Sequence, residues 1–147
     1  MTRYLPAKLF FVVAILSFLL GAAINRHGVP GFLLWHPLFW LFALRSIPFA
    51  VCGLAAAFGA IYLESERRFL QPPNLPFAIG HLVTFLVAVW GHVATIRQLE
   101  MFLGDNPPDA SSYSLHPFEV TGIAVIISLV LFFISLVSGT RAPESPA

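Results

Sequence analysis

Four apolar stretches, each near the ~20 residues that a helix needs to cross a ~30 Å hydrocarbon layer, dominate this chain. They run from about Tyr4 to Ile24, Leu38 to Leu63, Leu75 to Ile96 and Phe118 to Ser138. All are too long and too continuous for the strands of a membrane barrel, which alternate over roughly ten residues. Backbone groups in lipid must pair within their own segment, so helices follow. The expected fold is all-α: an integral membrane four-helix transmembrane bundle with short loops. Residues 1–140 form its single domain, and 141–147 (Arg-Ala-Pro-Glu-Ser-Pro-Ala) are a mobile tail without an apolar anchor.

Composition excludes the soluble classes. The chain is 58% hydrophobic and 10% charged, against about 25% charged in soluble domains. Fifteen Phe and eight Lys+Arg against seven Asp+Glu cannot cover a water-facing surface. A net charge of +1 gives no basic footprint, so no nucleic-acid partner is expected. The single cysteine, Cys52, excludes an internal disulfide and any multi-thiolate metal site; it reads as a packing residue.

The first stretch carries Arg3, Lys8 and a small-residue end at Gly21-Ala22-Ala23, as secretion signals do. Because Met1 is present, it is expected to remain as an uncleaved helix. Between the stretches lie the short Asn25–Gly31 turn, the charged Glu64–Asn74 turn and the acidic, proline-bearing loop from Arg97 to Leu115. Arg67 and Arg68 read as a membrane-edge stop. Arg3, Lys8, Arg67, Arg68 and Arg141 fall on one side, and Arg26, Arg45 and Arg97 on the other. The excess predicts both termini in the cytoplasm, in a bacterial inner membrane.

Small residues mark expected helix contacts: Ala14, Ser17 and Gly21 in the first helix; Gly53, Ala56, Ala57, Gly59 and Ala60 in the second; Thr121, Ser128 and Ser135 in the fourth. Phe10, Phe11, Phe18, Phe132 and Phe133 are then left for lipid or a partner.

Five histidines could carry chemistry. His27, His36, His92 and His116 fall toward the outer side, while His81 stands alone toward the cytoplasmic side. His81 and His92 share one helix face with Thr84, Ala88 and Thr95, about 16 Å apart along the axis. That stripe should face the bundle interior, because a polar side chain facing lipid is costly. One haem b between His92 and His36 or His116 is the most that the spacing allows. As metal donors, His36, His92, His116 and Glu119 have no local spacing motif, and no metal site is expected. The plainer expectation is neutral histidines bonded to Thr or backbone. His36-Pro37 and His116-Pro117 each open a helix, as proline in a first turn does.

Arg45 lies inside the second apolar run, three residues before Pro48, which should kink that helix. It is expected at the outer interface, following an interfacial segment over Gly31–Leu44 anchored by Trp35 and Trp40. A functional Arg45 would pair with Glu119, a lipid phosphate, a haem propionate or a quinone carbonyl.

No phosphate loop or nucleophile elbow is present in the sequence. The expected function is a non-catalytic subunit of a larger energy-transducing membrane complex, respiratory or photosynthetic, partnered by lipids and other integral membrane subunits. The alternative is a small redox protein holding one haem b or contributing to a quinone site, with His36, His92, His116 and Arg45 as its residues. A transporter is the weakest reading, because the deep interior lacks acidic residues and no inverted repeat is found.

Overall fold

The computed structural model describes residues 4–27, 39–68, 72–103 and 117–139, with side chains placed for 4–26, 46–68, 72–96 and 119–139. Within them the chain is all-helical: α1 (Leu5–His27), α2 (Phe39–Arg68), α3 (Leu75–Leu103) and α4 (Pro117–Val137). Each helix is long and apolar enough to cross a membrane. This is the multi-pass, four-helix architecture that the apolar stretches predict.

Prolines fall where the missing N–H costs nothing. Pro6 and Pro76 lie in the first turns of α1 and α3, and Pro117 opens α4 as the His116-Pro117 pair predicts. Asn74 precedes α3, its carbonyl accepting the Ala78 N–H at 2.9 Å. Pro48 is the interior exception, and α2 runs through it as one helix.

Three helix boundaries differ from the expected ones. α2 begins at Phe39, so residues 39–44 of the expected interfacial segment are already its first turns. Residues 31–38 and the tail after 140 lie outside the described residues. α2 also absorbs Glu64–Arg68, which the sequence pattern assigned to a turn. Glu64 and Arg68 form an ion pair one turn apart, and Arg67 and Arg68 sit at the negative end of the helix dipole. α3 likewise continues past Ile96 to Leu103.

The helices pair as two hairpins, α1 with α2 and α3 with α4. Within each, glycine permits close approach. A Cβ on Gly59 would lie 3.2 Å from the Phe11 ring and 3.3 Å from the Ala7 carbonyl oxygen. A Cβ on Gly91 would lie 2.5 Å from Thr121 Oγ1, closer than any real contact. Between the hairpins the backbones stay further apart, and large aromatic side chains bridge the gap.

The expected α2 contact face is corrected in part. Gly53 is exposed, with nothing within 4 Å of its would-be Cβ, and Ala57 and Ala60 are exposed too. Of the expected residues Gly59 is buried and Ala56 half-buried against the core, and the packed face carries Gly59 together with Val51, Ala55, Tyr62 and Glu66. Tyr62 and Glu66 decide the rotation, because hydrocarbon penalises an outward hydroxyl or carboxylate more than an outward glycine. The α1 and α4 faces hold: Ala14, Gly21, Ser128 and Ser135 are buried. Phe10 and Phe132, expected to face outward, are buried between the hairpins, whereas Phe18 and Phe133 do face outward.

One end of the bundle is tied by polar bonds. The Tyr4 backbone N–H, at the start of α1, donates to both oxygens of the buried Glu66 carboxylate, at 3.1 and 2.9 Å. The Asn74 N–H donates to the Ser135 carbonyl at 2.8 Å. The first turn of α1, the last of α2, the first of α3 and the last of α4 therefore meet at the same end.

Candidate functional site

Near that tied end, three helices contribute one polar side chain each to an aromatic core. Tyr62 of α2, His81 of α3 and Ser135 of α4 are fully buried. The His81 Nδ1–Tyr62 Oη and Tyr62 Oη–Ser135 Oγ distances are both 2.9 Å, and Ser135 Oγ donates to the Phe132 carbonyl at 2.7 Å. Each contact needs one proton, and each hydroxyl has only one. Ser135 spends its proton on Phe132, so Tyr62 donates to Ser135, and His81 Nδ1–H donates to Tyr62. The network assigns the Nδ1–H tautomer.

His81 Nε2 is therefore a bare lone pair. It is buried and without a hydrogen-bond partner among the described residues. Around the imidazole stand Phe58, Phe10 and Phe132, at ring-centroid distances of 4.6, 4.8 and 5.2 Å. Phe85 closes the cage, 5.8 Å from both Phe10 and Phe58. The cluster joins both hairpins, since Phe10 and Phe58 come from one and His81, Phe85 and Phe132 from the other.

Phe58 and Phe85 also form the inner end of a cavity of about 400 Å³ between α2, α3 and α4. Its walls are almost wholly apolar, with Ser128, Thr121 and His92 as the polar lining groups. Ser128 Oγ donates to the His81 carbonyl at 3.4 Å, linking the cavity wall to the caged histidine. On α3, Ala88 and Gly91 face inward while His92 is exposed at the cavity's edge. The expected polar stripe is thus split: His81 lies at its buried centre and His92 at its rim. A second cavity, of about 430 Å³, lies against Glu66 and the Pro72–Pro76 turn.

Of the four residues proposed as a haem or quinone site, His92 is placed at the cavity. His36, His116 and the Arg45 side chain lie outside the described residues. Among the described residues no three His, Cys, Asp or Glu side chains come together. Of the two histidines with described side chains, His81, which the spacing left alone, is the one with a built environment. Its partner is a tyrosine, not the Thr or backbone group expected. One signal could have found it: in an up-and-down bundle, the end of span two, the start of span three and the end of span four share one depth, which places Tyr62, His81 and Ser135 together.

No protein-family model, curated protein or solved structure matches this chain.

Proposed function

We propose that the chain is a non-catalytic integral membrane subunit of a larger energy-transducing complex, respiratory or photosynthetic, in a bacterial inner membrane. One observation carries the reading. Trp90 of α3 is 72% exposed, about 7 Å along the axis from the middle of its span. Tryptophan normally sits at the headgroup level, where its N–H finds an acceptor. At hydrocarbon depth lipid chains offer none, whereas a neighbouring helix does. Such a ring is also the residue type that anchors protein contacts. The outward Phe133, Ile126 and Leu16 extend an apolar surface suited to lipid and to other helices alike. The Lys and Arg distribution supports cytoplasmic termini.

Gentle solubilisation and affinity capture of the full chain test this. The expected result is co-migration, at fixed stoichiometry, with subunits that carry haem, flavin, iron–sulfur or chlorophyll cofactors, weakened by Trp90→Ala. Migration of the chain alone with lipid would overturn it.

A second reading, a redox protein that holds one haem b or contributes to a quinone site, is favoured by His92 at the edge of an apolar cavity. A haem would need His36 or His116 as its second axial ligand, and a visible absorption spectrum of wild type and His92→Gln tests that part.

A further inference from the structure

The cavity has a definite place in the bilayer. Phe85 and Ser128 lie near the middle of the α3 and α4 spans. His92 and Thr121 lie two turns further toward the end of the bundle opposite the Tyr4–Glu66 tie, about 10 Å from the middle. A hydrocarbon half-thickness of about 15 Å keeps both below the headgroups. The cavity therefore occupies one leaflet, from the midplane to just under the interface.

Its side is open. Leu54 on α2 and Val125 and Leu129 on α4 line it and are also exposed, at 54, 43 and 43%. An occupant enters from the bilayer, between α2 and α4, rather than from water. The inner end is aromatic, formed by Phe58 and Phe85, whose rings meet edge-on at 5.8 Å. At the outer end, the exposed His92 imidazole makes no hydrogen bond among the described residues. An imidazole at that depth is costly unless something bonds it.

These features select a neutral molecule, since no charged side chain lines the cavity among the described residues. They select a flat ring for the aromatic floor, a carbonyl or hydroxyl for His92, and an apolar tail for the lateral opening. A volume of about 400 Å³ lies within the usual range for small-molecule sites. We propose that this cavity binds the ring of a membrane-soluble quinone or quinol, with His92 bonding a ring oxygen and the tail leaving between α2 and α4. The proposal rests on the quinone part of the second reading above and adds the site, the leaflet and the contacts.

The test uses the purified full chain in phosphatidylcholine nanodiscs, with decylubiquinone as probe and decylbenzene as a comparator that has ring and tail but no oxygens. Ligand-induced stabilisation against unfolding gives Kd. Decylubiquinone is expected to bind about tenfold more weakly to His92→Leu, the value of one hydrogen bond. His92→Gln, which can still bond, should stay near wild type. Ala50→Phe, which fills the cavity from an exposed position, should abolish binding; Leu129→Trp does the same from the opposite wall if Ala50→Phe fails to fold. Equal affinity for decylbenzene, or no loss in His92→Leu, would overturn the head-group assignment and leave a cavity for any apolar chain. Unchanged binding in the filled variant would overturn the site itself. Neither outcome touches complex membership, which the capture experiment reads, or haem, which the spectrum reads.

Discussion

Tyr62→Phe removes one oxygen and keeps the ring, which isolates the polar part of the Tyr62–His81–Ser135 cluster. The ring contacts to Phe10 and Phe132, at 5.7 and 5.6 Å, involve no hydroxyl and remain. Two hydrogen bonds are lost. Ser135 keeps its own bond to the Phe132 carbonyl, so it loses only an incoming donor. His81 fares worse: its Nδ1–H loses its acceptor on a ring whose Nε2 already has no partner. A buried donor stripped of its partner costs about 1–3 kcal/mol in water-soluble proteins. Side-chain hydrogen bonds in membranes average about 0.6 and reach about 1.7 kcal/mol, because the unfolded chain in lipid also finds partners. For two bonds converging on one cage we expect a loss of about 1–3 kcal/mol.

The assay is reversible unfolding of the full chain in mixed micelles, followed by circular dichroism. Tyr62→Phe combined with His81→Leu completes a double-mutant cycle. Removing both partners leaves no stranded donor, so the pair should lose less than the sum of the singles, by about 1 kcal/mol. Nitrogen-15 spectra should find the His81 proton on Nδ1. A Tyr62→Phe chain within about 0.3 kcal/mol of wild type, additive singles, or a proton on Nε2 would each refute the proton order.

Gly91→Ala should lower stability by about 1–3 kcal/mol, because the new methyl meets Thr121 Oγ1 at 2.5 Å; adding Thr121→Ala should restore most of it, and Gly53→Ala, with open space, should change little. Equal losses at Gly91 and Gly53 in the micelle unfolding assay would contradict the packing described. Glu66→Ala strands the Tyr4 N–H at the start of α1 and should cost about 0.5–2 kcal/mol, with Glu66→Gln milder because its amide oxygen still accepts. Cysteines introduced near Arg67 and Ser138 should react with an impermeant reagent from one membrane side, and one near Ser111 from the other; a shared side for Arg67 and Ser111 would break the four-span topology.

The spans were legible because their signal is sheer length without charge, which no packing detail disturbs. Helix ends were less so: Glu64–Arg68 reads as a turn by composition, yet an ion pair and the helix dipole carry α2 through it. On α1 and α4 the singled-out small residues Ala14, Gly21, Ser128 and Ser135 identified buried contact positions. On α2 small residues populate two sides, with Gly53, Ala57 and Ala60 on one and Ala55 and Gly59 on the other. Size alone cannot choose between them. Of the candidate site, the stripe predicted that His81 faces inward, but not that His92 is exposed at the edge of a cavity. The cage around His81 was not legible, because its partners Tyr62 and Ser135 come from other helices.

The same physics explains why apolar periodicity fails here and polar position succeeds. A helix that is apolar all round gains little from turning one face inward, since lipid is as apolar as a neighbouring helix. Phe10 and Phe18 are alike to hydrocarbon, yet one is buried and the other exposed. A hydroxyl, imidazole or carboxylate has only one tolerable direction, toward a partner. Tyr62 and Glu66 fix α2, His81 fixes α3, and Ser128 and Ser135 fix α4. α1 has no buried polar side chain among its described residues and is held by what reaches it, the Glu66 carboxylate at its first turn and the aromatic cage around Phe10. Apart from Ser128 at mid-span, those restraints lie toward one end of the bundle. The cavity and His92 lie toward the other, where apolar side chains rather than buried polar bonds line the space between α2, α3 and α4.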